Sequence, residues 1–220
     1  MVDGKDNKLY CQNLALLAKL FIDHKILYFD IRDYQFIVLT QDTMKNGTIK
    51  QSTIVGYFSR QKGMQCANNL SCIVVFPQFQ SRGYGTFLIA LSYFLSQKEN
   101  RICTPETPLS DMGRVLYYSY WKEAIFELLD NVDQEIHQRQ LTMKEISKRT
   151  FIAEPDILMI LKEMNLLKYY RGMHSLIDEQ HKIQKVLYTY YKRKADKIES
   201  LVKADKPLPV KFENKYALMY

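Results

Sequence analysis

Residues 70–97 read LSCIVVFPQFQSRGYGTFLIALSYFLSQ, and the reading of the chain starts there. Residues 72–76 form a continuous apolar run of strand length, rich in β-branched side chains, which suits a strand covered on both faces. Pro77 has no N–H to give to a sheet ladder and closes the strand. Gln80-Ser-Arg-Gly-Tyr-Gly85 then precedes an apolar pattern at helical spacing, Phe87, Leu88, Leu91, Phe94 and Leu95. Strand, glycine-punctuated turn and helix in that order leave backbone N–H groups unpaired at the helix start. Two glycines let an anion approach that backbone, and the helix dipole favours its charge. The expected ligand carries a phosphate or pyrophosphate.

The turn lacks the third glycine of the dinucleotide fingerprint and the Lys-Ser/Thr of the phosphate loop, which argues against nicotinamide and ATP. Its wider form, Gln-x-x-Gly-x-Gly after an apolar strand, resembles the pyrophosphate turn of acetyl-CoA-dependent N-acetyltransferases.

Outward from this stretch, the pattern is mixed. Asn13 is expected to cap a helix running to about residue 24, with Leu14, Leu17 and Phe21 on one face. Lys19 lies off that stripe, where a lysine is ordinarily a solvated helix residue. Residues 26–31 and 36–40 read as a hairpin, and Asn46-Gly47 as a turn into a strand at 48–58. After the central helix comes a weak strand at 101–104. The loop that follows carries Glu106 with Pro105 before it and Pro108 after it, which hold it extended. A helix at 114–129 presents Val115, Tyr118, Trp121, Ile125 and Leu128. The domain is therefore α+β with a mixed sheet.

Beyond residue 130 the character changes. Residues 142–149 and 154–164 read as two short helices, and 166–177 as a small hairpin around Arg171-Gly172, the outline of a winged helix. The second helix carries Glu154, Asp156 and Glu163, a poor face for reading a DNA groove. Residues 178–204 read as a basic amphipathic helix that packs on the domain, and 206–220 as an extended tail.

Composition sets outer bounds. The 220 residues are 47% hydrophobic and 13% aromatic with few Gly and Pro, as a globular chain requires. No apolar run approaches the ~18 residues of a membrane span. Cys11, Cys66, Cys72 and Cys103 show no C-x-x-C spacing, so neither a zinc site nor a disulfide framework is expected. A formal charge of +7, much of it within 182–211, permits a polyanion such as DNA as a secondary partner.

Several stretches together resemble the MYST family of histone acetyltransferases: NKLYCQNL at 7–14, LAKLFIDHK at 17–25, IVGYFS at 54–59, the stretch at 70–97, PETPLSD at 105–111, YSYW at 118–121 and LLKYYRG at 166–172. The likeness runs from about residue 2 to residue 177. It implies an acetyl-CoA-binding acetyltransferase core at 1–130 and a winged-helix-like segment with a basic helical tail at 131–220. It also implies a nuclear protein acting on histone tails of the nucleosome with other subunits of a complex, and no membrane. The chain begins past the place of the family's zinc finger and first strands, so no metal is expected in it. A shortened, catalytically weak subunit that binds acetyl-CoA and scaffolds a chromatin complex is the rival expectation.

Carried over residue by residue, the resemblance places the general base on Glu106 and the active-site cysteine on Cys72. The cofactor positions fall on Ile73, Val74 and Val75, on the turn Gln80, Ser81, Arg82, Gly83, Tyr84, Gly85 and Thr86, and on Ser110 and Ser119. Lys19 takes the place of the family's autoacetylated lysine. A base is needed because a free lysine has a pKa of about 10.4, so holding it neutral near pH 7 costs ~4 kcal/mol. A fixed, partly buried carboxylate can take that proton. The family implies either direct attack by lysine on the thioester or passage of the acetyl group through Cys72, and direct attack is favoured because an amine is already a competent nucleophile. Thr86 and Val75 depart from the lysine and threonine usual in the family, and residues 114–118 depart from its usual sequence.

Overall fold

The computed structural model describes residues 1–22, 30–45, 47–63, 68–135, 141–170, 173–176, 180–203 and 208–210. Its contacts divide the chain into two compact units that interleave in sequence: Met1–Leu95, Thr104–Leu116 and Pro209–Tyr220 make the first, Ser96–Cys103 and Tyr117–Leu208 the second.

The first unit is built on a four-stranded sheet in the order β1-β2-β3-β5. Strand β1 (Val2–Asp3) pairs antiparallel with β2 (Tyr34–Lys45), β2 with β3 (Thr48–Gln61), and β3 with β5 (Cys72–Val75). A parallel pair, β4 (Asn68–Leu70) with β6 (Thr104–Pro105), stands apart from it. Strand alternation sends successive side chains to opposite faces. Phe36, Tyr57 and Val74 face helix α1 (Lys8–Lys19), packing with Cys11, Leu14, Ala15 and Ala18. Ile37, Phe58, Ile73 and Val75 face the other way, packing with Leu88, Leu91 and Leu95 of helix α2 (Tyr84–Lys98). The sheet is thus held between two helices, the layering of an α+β domain.

The second unit contains most of helix α3 (Asp111–Glu135), then α4 (Met143–Thr150), α5 (Glu154–Glu163), the hairpin β7 (Leu167–Tyr170) with β8 (Met173–Leu176), and α6 (Gln180–Lys203). A capping box starts α4: Thr142 accepts the Glu145 N–H at 3.2 Å while Glu145 accepts the Thr142 N–H at 2.9 Å. Leu187 on α6 is buried, and Tyr190 meets Phe126 of α3 edge to face at 4.7 Å. Among the described residues no helix is long and apolar enough to cross a membrane.

Several elements differ from their expected form. Helix α1 starts at Lys8, so Asn13 is an interior residue and not a cap. The hairpin joins β2 to β3; Ile31 precedes β2 as a buried loop residue, and 26–29 lie outside the described residues. Residues 77–79 form a single 3₁₀ turn before the glycines, and α2 begins at Tyr84, earlier than its apolar spacing indicated. Its fully buried residues include Ile89 and Tyr93 as well as Leu88, the behaviour of a helix apolar on more than one side. In α3, Val115 is 64% exposed, and Tyr117 rather than Tyr118 is buried beside Trp121. The Arg171-Gly172 turn and 211–220 lie outside the described residues.

Candidate active site

The run 68–75 is not one continuous strand. At Ser71 the chain passes from one pairing to another: Leu70 ends the strand paired with β6, whereas Cys72 begins the strand paired with β3. The Ser71 N–H donates to the Ser59 carbonyl at 2.8 Å, and the Leu70 carbonyl accepts the Glu106 N–H at 3.0 Å. This break splays the chain between the two pairings. It sets Glu106 against Leu70, two residues before Cys72, so two residues far apart in sequence are tied through one backbone hydrogen bond.

Strand β5 is correspondingly an edge strand of its sheet, not the centre. Its faces are covered by α1 and α2 as its composition indicates, but only Val74 is fully buried and Cys72, Ile73 and Val75 are half-buried. The Phe76 N–H donates to the Val55 carbonyl at 3.1 Å, so in this antiparallel register alternation turns the Cys72 and Val74 backbone groups toward β3 and those of Ile73 and Val75 to the open edge, the side where an extended amide-bearing ligand would pair. The edge strand leads through the 3₁₀ turn at 77–79 into the glycine turn.

The turn itself is shaped by two left-handed residues, Ser81 at φ 62° and Gly83 at φ 86°. The Gln80 side-chain amide donates to the Val75 carbonyl at 2.9 Å, fastening the turn to the end of β5. Arg82 is exposed; Tyr84, Gly85 and Thr86 lie in the half-buried first turn of α2, with Tyr84 edge-on to Phe79 at 6.2 Å. Gly85 also has a packing task. It is helical, and a Cβ there would stand 2.8 Å from a Leu116 methyl, so it lets α2 pack closely on the start of α3.

The remaining positions are more dispersed. Glu106 is exposed, not partly buried as expected. Ser110 is exposed, and its hydroxyl accepts the Gly113 N–H at 3.1 Å as the cap of α3, whose first turn also carries Asp111. Lys19 is exposed at the last position of α1, where the helix dipole favours a cation. Ser119 is an exposed residue of α3 within the second unit.

Two positioning residues escaped the sequence reading. Tyr57 sits opposite Val74 and donates its hydroxyl to the Leu14 carbonyl at 2.6 Å, binding α1 to the sheet. Burial, with the Cys72 sulfur nearby, raises the proton affinity of its phenol and keeps it a neutral donor. Gly56 faces Val75, and a Cβ there would stand 2.5 Å from the Val74 carbonyl oxygen. A glycine inside a strand pattern was the available signal for that close approach.

Comparison with known proteins adds an independent line. The chain matches the MOZ/SAS family across residues 1–205. It is 43% identical over 183 residues to human histone acetyltransferase KAT6A, covering 83% of this chain and 9% of that protein. It is 44% identical over 173 residues to the Arabidopsis thaliana histone acetyltransferase of the MYST family 2, covering 79% and 37%. With the Caenorhabditis elegans histone acetyltransferase Tip60 homolog it shares 42% identity over 183 residues, covering 83% and 39%. The matched region spans less than two-fifths of each of these relatives.

Proposed function

The chain belongs to the MOZ/SAS family, and on that premise we propose that it is a lysine acetyltransferase of the MYST type, moving an acetyl group from acetyl-CoA to the ε-amine of histone-tail lysines. The observation that carries this reading is the hydrogen bond from the Glu106 N–H to the Leu70 carbonyl. It anchors a carboxylate-bearing loop beside the edge strand that starts at Cys72 and feeds the glycine turn.

In this reading Ile73, Val74 and Val75 hold the pantetheine arm, and 80–86 hold the pyrophosphate on the N-terminus of α2. Ser110 and Ser119 line the acetyl and CoA channel. Acetyl-CoA supplies an activated acyl carbon. Glu106 removes the proton from the incoming lysine ammonium, and the neutral amine attacks that carbon. The C–N bond forms, the C–S bond breaks with its electron pair leaving on sulfur, and the second proton lost from nitrogen goes to the departing CoA thiolate. Backbone N–H groups beside Cys72 and Ile73 support the oxyanion. Direct attack leaves Cys72 a role in shaping the site rather than carrying the acetyl group. Lys19, at the end of the helix that covers the Cys72 face, is the candidate for autoacetylation. The acetyltransferase core is placed within 1–130, with 131–220 as the winged-helix-like segment. Its setting is the nucleus, on nucleosomes and with further subunits, and DNA contact is secondary.

The test is acetyl transfer from labelled acetyl-CoA to core histones, comparing the chain with Glu106→Gln. Loss of a general base is expected to cost roughly 10²- to 10⁴-fold in kcat while CoA binding persists. CoA binding without any transfer by the unaltered chain would instead assign it to scaffolding.

A further inference from the structure

Pro209 and Val210 lie against the turn assigned to the pyrophosphate. The Val210 N–H donates to the Arg82 carbonyl at 2.8 Å. A Cβ on Gly83 would stand 2.6 Å from the Val210 nitrogen, 2.7 Å from its oxygen and 3.1 Å from the Pro209 carbonyl carbon. These are backbone atoms on both sides, so neither can swing aside. Gly83 therefore answers two demands at once: a left-handed φ, and room for a second stretch of chain.

A segment lying on an anion-binding turn could block it or brace it, and peptide geometry separates the two. In a trans peptide the C=O and N–H lie in one plane and point to opposite sides. The Arg82 carbonyl and the Gly83 N–H share such a plane, since the only cis bond among the described residues is Thr107-Pro108. With the carbonyl turned to Val210, the Gly83 N–H is turned away from it. The segment thus takes the acceptor side of the turn and leaves the donor side facing elsewhere.

We propose that Pro209 and Val210 form a positioning strap for this turn, holding the 82–83 peptide with its N–H directed to an incoming pyrophosphate. The ligand's identity rests on the acetyltransferase reading; the bracing of the turn does not. Released from Val210, the peptide plane is able to flip, exchanging N–H for carbonyl as between type I and type II turns. A flipped plane presents an oxygen to the anion, and apparent affinity falls with the fraction of turns that remain competent.

The test uses the full chain with Val210→Pro, which removes the donor, beside Val210→Ala, which keeps it. In ¹⁵N relaxation, the amides of 81–84 are expected to drop from rigid order parameters of about 0.85 to below about 0.6 in Val210→Pro. The amide spectrum of the rest of the chain reports that the fold is intact. Calorimetry with CoA is expected to show a Kd raised about three- to tenfold, and the kinetic loss to fall on KM for acetyl-CoA and not on kcat. Val210→Ala is expected to follow the unaltered chain in each readout. Order parameters unmoved by Val210→Pro would overturn the strap, and so would tighter CoA binding, which would make the segment a blocker. If the unaltered chain binds no CoA, the acetyltransferase reading falls, and the relaxation comparison alone then decides the strap.

Discussion

The Ser110 hydroxyl is engaged before any ligand is considered, because it caps α3 by accepting the Gly113 N–H. A cofactor-lining role must therefore share an oxygen that already satisfies a helix end. Ser110→Ala is expected to lower stability by ~0.5–2 kcal/mol, the usual cost of losing an N-cap, in a urea titration. Ser110→Asp, which can cap equally well, is expected to recover most of that loss. If KM for acetyl-CoA stays with the unaltered value in Ser110→Ala, the hydroxyl's work is the cap alone. The cap was signalled in the sequence by Ser110 before Asp111, although the apolar spacing put the helix start at 114. The contact between the Glu106 N–H and Leu70 was not, because hydrogen bonds between distant backbone groups leave no mark on residue type.

At the scale of elements, β5 connects the two halves of the proposed chemistry. Its apolar run was legible and so was its coverage on both faces, which α1 and α2 provide. Its edge position was not, since side-chain composition records what covers a strand and is silent on its hydrogen-bonding neighbours. The chain leaves one pairing for another at Ser71, and that break exposes the edge. Gly56 lets β3 and β5 approach where a side chain would collide with the Val74 carbonyl. Gly56→Ala is expected to displace β5, costing ~1–3 kcal/mol of stability as overpacking does and raising KM for acetyl-CoA together with it. Thermal unfolding and initial-rate kinetics on the same preparation check both parts. An unchanged melting temperature would show that β5 has slack the structure does not indicate.

At the scale of the molecule, the N-terminus is pinned to the sheet by Asp3, which accepts two hydrogen bonds from Lys62 at 2.9 and 3.1 Å. The Lys62 ammonium, helped by the Lys5 N–H, holds the Asp3 carboxyl below the ordinary carboxylate range. A lowered folded-state value means that the stabilisation is fully present above the unfolded pKa of about 3.9 and is lost as pH falls through the folded one. Melting temperatures are therefore expected to decline from pH 5 toward about pH 3, with a shallower decline in Asp3→Asn, whose side chain does not titrate. Equal slopes would remove Asp3 from the acid response. The α+β class was legible from the order of elements. The interleaving of the two units was not: two of the four crossings fall inside helices, after Leu95 in α2 and after Leu116 in α3, where helical periodicity continues unbroken.

That interleaving also bears on the order in which the protein is made. The unit that holds Cys72, Glu106 and the glycine turn draws its last pieces from Pro209 onward, after the second unit has been synthesised. A ribosome delivers residues from the N-terminus, and domains begin to fold as they emerge. The sheet and its two helices can gather early, but the strap over Gly83 arrives only after a long excursion of chain, closing contacts of high sequence separation that are slow to form. The glycine turn is thus the part of the core that matures late, and a nascent chain halted before residue 209 would carry the proposed catalytic groups beside a turn still unbraced.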